Sequence, residues 1–195
     1  MKSKTVLMLA FLMLVVMAPL FAAGAKDGGV VIDNGGIFIM QGGAVSGNNG
    51  YSGGVVIVNG TFAMEGGTIS SNIGNSGGVV IVNGTFTMQD GTISGNTASD
   101  NGGGVSVRGG TFNMKGGTVK GGNNARNNGG GVYVNSGTFT KSGGTISGND
   151  VTYSDRNTAT KQGHAVYWET GSGQWRNATA GPEDNTAGYG FWLND

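Results

Sequence analysis

The chain has no cysteine, a single histidine and two prolines, and only 11 % of its residues carry charge. Without cysteine there are no disulfide staples, on which small exported domains commonly rely, and no cysteine to take a lipid after a leader. Stability must come from packing and backbone hydrogen bonds. The formal net charge is zero, and no Lys/Arg cluster marks the footprint of a nucleic-acid partner. What the chain has in excess is glycine, at 42 of 195 residues. That much glycine alone would suggest a low-complexity or disordered chain. Order is expected because the apolar residues recur in register.

One long uncharged apolar run exists, at the start. Met1 to Lys4 carries two lysines, Thr5 to Phe21 has no charge, and Ala23-Gly24-Ala25 supplies an Ala-x-Ala exit ahead of Lys26. Basic start, apolar middle and small-residue exit are the parts of a secretory signal. The run is short for a membrane span of about 20 residues, so residues 1–25 are expected to be removed, leaving no membrane span in the mature chain. The expected location is outside the cytoplasm (secreted, at the cell surface or in the periplasm), and a bacterial source fits best. The sequons at Asn59, Asn83 and Asn177 would matter only in a eukaryotic secretory route.

Internal repetition organises the rest. The segment Gly54 to Asn72 recurs almost unchanged from Gly78 to Asn96, with looser copies starting at Gly29, Gly104 and Gly131. Phe38, Phe62, Phe86, Phe112 and Phe139 mark the period at spacings of 24, 24, 26 and 27. The growth falls at Ala98–Asn101 and Asn123–Asn128, so one corner of each unit is a free loop. Within a unit the apolar residues alternate, which signals strands rather than helices. Val55 and Ile57 match Val79 and Ile81, Val105 and Val107, Val132 and Val134. The intervening positions vary, which assigns inside and outside. The second segment places Phe62 and Met64, Phe86 and Met88, Phe112 and Met114 inward. The third has Val45, Ile69, Ile93, Val119 and Ile146.

Val58-Asn59-Gly60-Thr61 on its own reads as a hairpin turn, since Asn-Gly suits type I′, and would give an antiparallel meander. The same corner is Arg108-Gly109-Gly110 and Asn135-Ser136-Gly137 in later units, however, and strands this short make poor hairpins. A coil of three strands per turn, each strand pairing with the turns above and below at ~4.8 Å, accommodates all copies. Five such turns would make a rod of roughly 25 Å. Asn48, Asn72, Asn96 and Asn149 recur three residues after the third-strand aliphatic, where stacked side-chain amides can form a ladder. Gly122 interrupts the column and shifts it to Asn123.

Gly143-Gly144-Thr145-Ile146-Ser147-Gly148-Asn149 and Gly84-Thr85-Phe86-Thr87-Met88 resemble the right-handed parallel β-helix repeats of bacterial surface and secreted proteins, on the pectate-lyase-like scaffold. The resemblance covers about Gly28 to Asn149. It implies an all-β, right-handed parallel β-helix, with repeats over residues 26–149 and a last turn and C-terminal cap over 150–195. It says little of function, because that scaffold serves polysaccharide lyases, adhesins and passenger domains. The chlamydial polymorphic membrane proteins are similar, but their Phe-x-x-Asn motif is missing: Phe62 leads to Glu65 and Phe86 to Gln89.

Lyases and hydrolases on such a scaffold need convergent carboxylates, for Ca²⁺ or for acid–base work. Here Asp33, Glu65, Asp90, Asp100, Asp150 and Asp155 occupy different columns. Glu65 and Asp90 come nearest to a pair, while Gln41 and Lys115 take the corresponding corner in other units. His164 has no adjacent catalytic partner and reads as a capped structural residue. No cofactor or metal is expected.

Two surfaces stand out as candidates for binding. Val31, Val56, Val58, Val80 and Val82 have outward parity in the early units, so an exposed apolar patch is expected there. Trp168, Trp175 and Trp192 fall in the atypical C-terminal segment, either as a cap or as an aromatic platform for a sugar ring. A third pattern, Thr61, Thr85, Thr111 and Thr138 with Thr68, Thr92, Thr118 and Thr145, resembles the regular faces of ice-binding proteins, though Ala63 and Asn113 interrupt its second column. The expectation is a non-enzymatic, adhesin-like or structural surface protein that binds protein or glycan, or self-associates. A polysaccharide lyase and an ice-binding protein are the alternatives.

Overall fold

A computed structural model describes residues 28–149, 154–169 and 190–191. The leader, Trp175 and Trp192 lie outside them. The described residues contain no helix, and so none long and apolar enough to cross a membrane.

Short strands stack into four sheets. The first contains Val30–Asp33, Val55–Val58, Val79–Val82, Val105–Val107, Val132–Val134 and Val166–Trp168. The second contains Ile37–Met40, Thr61–Met64, Thr85–Met88, Thr111–Met114 and Thr138–Lys141. The third runs Ala44–Ser46, Thr68–Ser70, Thr92–Ser94, Thr118–Val119 and Thr145–Ile146. Within each sheet every strand pairs in parallel with the equivalent strand of the next unit. The exception is Gly190–Phe191, which closes the first sheet antiparallel to Val166–Trp168. The chain is therefore a parallel β-solenoid of about four turns, and the hairpin alternative is wrong. Counting one turn per unit gives five; the five strands of the second sheet are separated by four steps of the coil.

The register explains the alternation. Phe38, Phe62, Phe86, Phe112 and Phe139 are direct partners, and successive rings stack with centroids 5.3, 4.8, 4.8 and 5.0 Å apart. Val55, Ile57, Val79, Ile81, Met64, Met88, Ile69 and Ile93 fill the same core without exposure. Each such side chain contributes roughly 1.5–3 kcal/mol when removed from water, which is how a chain without disulfides holds together.

The Met column ends on Lys141, in register with Met114 and buried. A lysine stem substitutes for the methionine chain there.

Two expectations need correction. The unit has four strands, not three. Ile73–Gly74, Thr97–Ala98, Asn124–Ala125 and Thr158–Ala159 form a fourth sheet, whose inward residues are Gly74, Ala98, Ala125 and Ala159. Ala98, Ala125 and Ala159 make a separate small cluster. Strands of two residues with glycine or alanine inside carry no hydrophobic periodicity to detect.

The second correction concerns the amide ladder. It runs Asn48, Asn72, Asn96, Asn123 and Asn157, each Nδ2 donating to the next Oδ1 at 2.8, 2.9, 3.0 and 2.9 Å. Asn149 is exposed and accepts from Arg156 Nη1 at 3.2 Å. Asn157 takes that place in the last unit and donates to Val119 O and Ser147 O at 2.8 and 2.7 Å. Gly122 does not break the column, because the extra residue is absorbed in a left-handed bend at Gly121 and Gly122, with φ of 71° and 82°.

Candidate functional site

The carboxylates are engaged at separate corners. Glu65 Oε2 accepts from Gln41 Nε2 at 3.1 Å, and Asp90 Oδ1 accepts from the Gly91 amide at 2.7 Å. Asp100 Oδ1 receives Asn101 Nδ2 at 2.9 Å and Asn127 Nδ2 at 2.7 Å, which pins the expanded loops of adjacent turns together. Asp155 lies 3.5 Å from Lys120. Among the described residues no three His, Asp or Glu side chains gather as a metal site would require. His164 Nδ1 accepts the Ala159 amide at 3.0 Å, so its lone pair closes a corner and the ring proton sits on Nε2.

The valine patch is largely covered. Val56 and Val80 are buried, Val58 and Val82 are partly buried, and only Val31 is well exposed. Ser106 and Tyr133, the later members of the Val56 and Val80 column, are buried as well. The corner ahead of each strand folds back over this column. A Cβ added to Gly102, Gly129 or Gly163 would come within 2.7, 2.7 and 2.5 Å of the Cβ of Ser106, Tyr133 and Tyr167. Only glycine fits above them. From Val56 to Tyr133, outward parity in this column therefore means burial beneath a loop rather than contact with solvent.

Trp168 sits at the end of the core and stays partly exposed. It pairs with Val134, a core position, and its ring lies 6.2 Å from Phe139, tilted by 45°. It ends the phenylalanine column. Beside it, Tyr133 and Tyr167 stack at 5.9 Å with parallel rings. The Tyr133 hydroxyl donates to Glu169 Oε2 at 2.6 Å, and Asn135 Nδ2 donates to the same oxygen. Burial, with the Glu169 hydrogen bond, pushes the Tyr133 phenol up to about 12. This cluster fastens the last turn. The shared outward parity of Tyr133 and Tyr167 was its only mark in the sequence.

The open surface is the flank formed by the second and third sheets. Outward on the second sheet lie Thr61 and Ala63, Thr85 and Thr87, Thr111 and Asn113, Thr138 and Thr140, strand beside strand in register. On the third sheet Thr68, Thr92, Thr118 and Thr145 form one column, with Thr92 and Thr118 Oγ1 3.2 Å apart. The reason lies in the corners. Glu65-Gly66-Gly67, Gln89-Asp90-Gly91, Lys115-Gly116-Gly117 and Ser142-Gly143-Gly144 keep constant length between the two sheets, whereas the insertions of the later turns fall around the fourth sheet. The hydroxyl columns are thus partly exposed and free of loops. Neutral hydroxyls and methyls at strand spacing can hydrogen-bond and pack against a flat polar partner.

A scan of protein-family models, a search of curated proteins and a search of solved structures each found no match to this chain.

Proposed function

We propose that the chain is exported from a bacterial cell and works, without catalysis, as an adhesin-like module on a right-handed, pectate-lyase-like solenoid. It holds a protein or glycan partner against the threonine flank of the second and third sheets. The observation that carries this reading is the in-register hydroxyl array on corners of constant length. A sugar surface offers hydroxyls and C–H faces, and threonine supplies a donor-acceptor and a methyl on one short, stiff side chain. Glu65, Asp90 and Asp100 are each held in a local hydrogen bond, which favours a non-catalytic reading.

Retention of labelled full-length chain on glycan and matrix-protein arrays tests this, with Thr87→Glu and Thr140→Glu together as the variant. Both positions are outward and partly exposed, so the circular dichroism should not change. Bound signal should fall at least tenfold, about 1.4 kcal/mol. Unaltered binding by the variant would remove the flank from the account. Release of unsaturated sugars from pectin-like polymers by the native chain would replace the module with an enzyme.

A further inference from the structure

Charge is sorted along the chain. Residues 28–103 hold Asp33, Glu65, Asp90 and Asp100 and no lysine or arginine. Residues 104–149 hold Arg108, Lys115, Lys120, Arg126 and Lys141 and no acid. The formal net charge of zero thus conceals early turns that are anionic and a following stretch that is cationic. Spread along the chain, the cations form no run; the coil brings some of them together.

The register gathers them on the side of the fourth sheet. Lys120 follows Val119 and continues the line of Ser46, Ser70 and Ser94. Arg126 follows Ala125 and continues the line of Asn75 and Ser99. In the next turn Arg156 lies beside Gly122, whose amide donates to Arg156 O at 2.9 Å, and Lys161 N donates to Asn127 O at 2.9 Å. The strands Asn124–Ala125 and Thr158–Ala159, paired in parallel, are each bracketed by two cations. The earlier strands Ile73–Gly74 and Thr97–Ala98 have none beside them. Arg126 and Lys161 are exposed, and the Lys120 side chain is 40 % exposed although it lies 3.5 Å from Asp155. The other carboxylate on this side, Asp100, accepts from Asn101 and Asn127. Between the cation pairs Asn124 Nδ2 donates to Thr158 Oγ1 at 2.6 Å, a neutral polar seam.

We propose that this side of the coil binds a sulfated polysaccharide, with its sulfates at Lys120, Arg126, Arg156 and Lys161 and its sugar hydroxyls over Asn124 and Thr158. Arginine offers a planar fork and lysine a point charge to sulfate oxygens, and the amide and hydroxyl of the seam suit sugar hydroxyls. Cation pairs on strands ~4.8 Å apart call for more than one anion per sugar, which sulfation supplies. The seam itself speaks against other polyanions. No aromatic side chain stands between Lys120 and Arg126 or between Arg156 and Lys161, so nucleic-acid bases find no stacking surface. No apolar side chain larger than alanine stands there either, so an anionic membrane finds no anchor. The acidic turns of a second copy fit poorly, because Glu65, Asp90 and Asp100 are held by local partners at different columns. This surface lies beyond the threonine flank, on the fourth sheet and its corners.

Titration of the full-length chain with heparin across salt concentration tests the proposal, with chemically desulfated heparin and duplex DNA as comparison ligands. Heparin should bind with an affinity that falls steeply as salt rises, because condensed counterions are released. Desulfated heparin and DNA should bind about tenfold more weakly or less. Arg126→Gln with Lys161→Gln should weaken heparin about tenfold and flatten the salt slope by about two, one per cation removed, as for phosphate contacts. Lys115→Gln, at the corner between the second and third sheets, should change neither. No heparin binding, or binding by the double variant equal to that of the native chain, overturns the proposal. A loss as large in Lys115→Gln overturns the placement on the fourth sheet, and DNA or desulfated heparin held as tightly as heparin overturns the sulfated partner. The threonine-flank variant keeps all four cations, so its result and this one are read separately.

Discussion

Replacing Asn96 by alanine probes the least replaceable part of the fold. Asn96 is fully buried. Its Oδ1 accepts from the Asn72 amide at 3.0 Å and from Asn72 Nδ2 at 2.9 Å, and its Nδ2 donates to Ile69 O and Asn123 Oδ1, both at 3.0 Å. Alanine deletes all four. Some former partners keep another bond: Asn72 Nδ2 still reaches Val45 O, and Asn123 Oδ1 still receives the residue 96 amide. The Asn72 N–H has no replacement among the described residues and would be stranded in the core. Three lost neutral bonds at about 1 kcal/mol each and one stranded buried donor at about 1–3 kcal/mol give a total of about 4–6 kcal/mol. Urea unfolding followed by circular dichroism measures it, with the midpoint fitted region by region because solenoids need not unfold as one unit. Asn149→Ala is the control, since Asn149 is exposed and should cost under about 0.5 kcal/mol. Equal losses at the two positions, or a loss below about 1 kcal/mol at Asn96, would refute the ladder as a source of stability.

Other outcomes follow from the same packing. Phe86→Ala, which empties a site between two rings at 4.8 Å, should cost about 3–5 kcal/mol in the same urea assay. Gly77→Ala should prevent folding, because the new Cβ would sit 2.1 Å from Gly103 O. Gly42→Ala meets nothing within 4 Å and should leave the thermal midpoint equal or slightly higher. The Tyr133 phenol, raised to about 12 in the folded chain, should stay protonated when ordinary tyrosines near 10 ionise. Its contribution to stability is complete below about pH 10 and lost as pH climbs toward 12, which ultraviolet difference titration beside an unfolding curve would show; Tyr133→Phe should flatten that loss. Thermal hysteresis should be absent, since Ala63 and Asn113 interrupt the second hydroxyl column.

Much of the fold was legible because parallel stacking turns each structural column into a sequence column. Phe38 to Phe139 and Val55 to Val134 could be read directly, and so could the short strands. The fourth sheet escaped because its inward residues are Gly74 and small alanines, which bury too little to leave a pattern. Asn157 escaped because it lies eleven residues after Ile146 in the sequence, while Asn149 sits at the expected spacing. The candidate site was harder still. Alternation marks Val56 and Val80 as outward, but only the coordinates show that the preceding corner covers them. The threonine columns were visible as residues. Their freedom from loops depends on which corners keep constant length, and that gains meaning only once those corners are seen to border one flank.

The in-register coil underlies the hydroxyl flank, and one distance tests it. Spin labels on Thr61→Cys and Thr138→Cys, outward on strands three steps apart in the second sheet, should lie about 14 Å apart at ~4.8 Å per strand. Strong dipolar broadening in the frozen-solution spectrum is therefore expected. An antiparallel meander of the same strands would separate the labels by roughly 58 Å, at ~4.8 Å per strand. Spectra as sharp as those of the singly labelled chains would contradict the coil and every surface built on it.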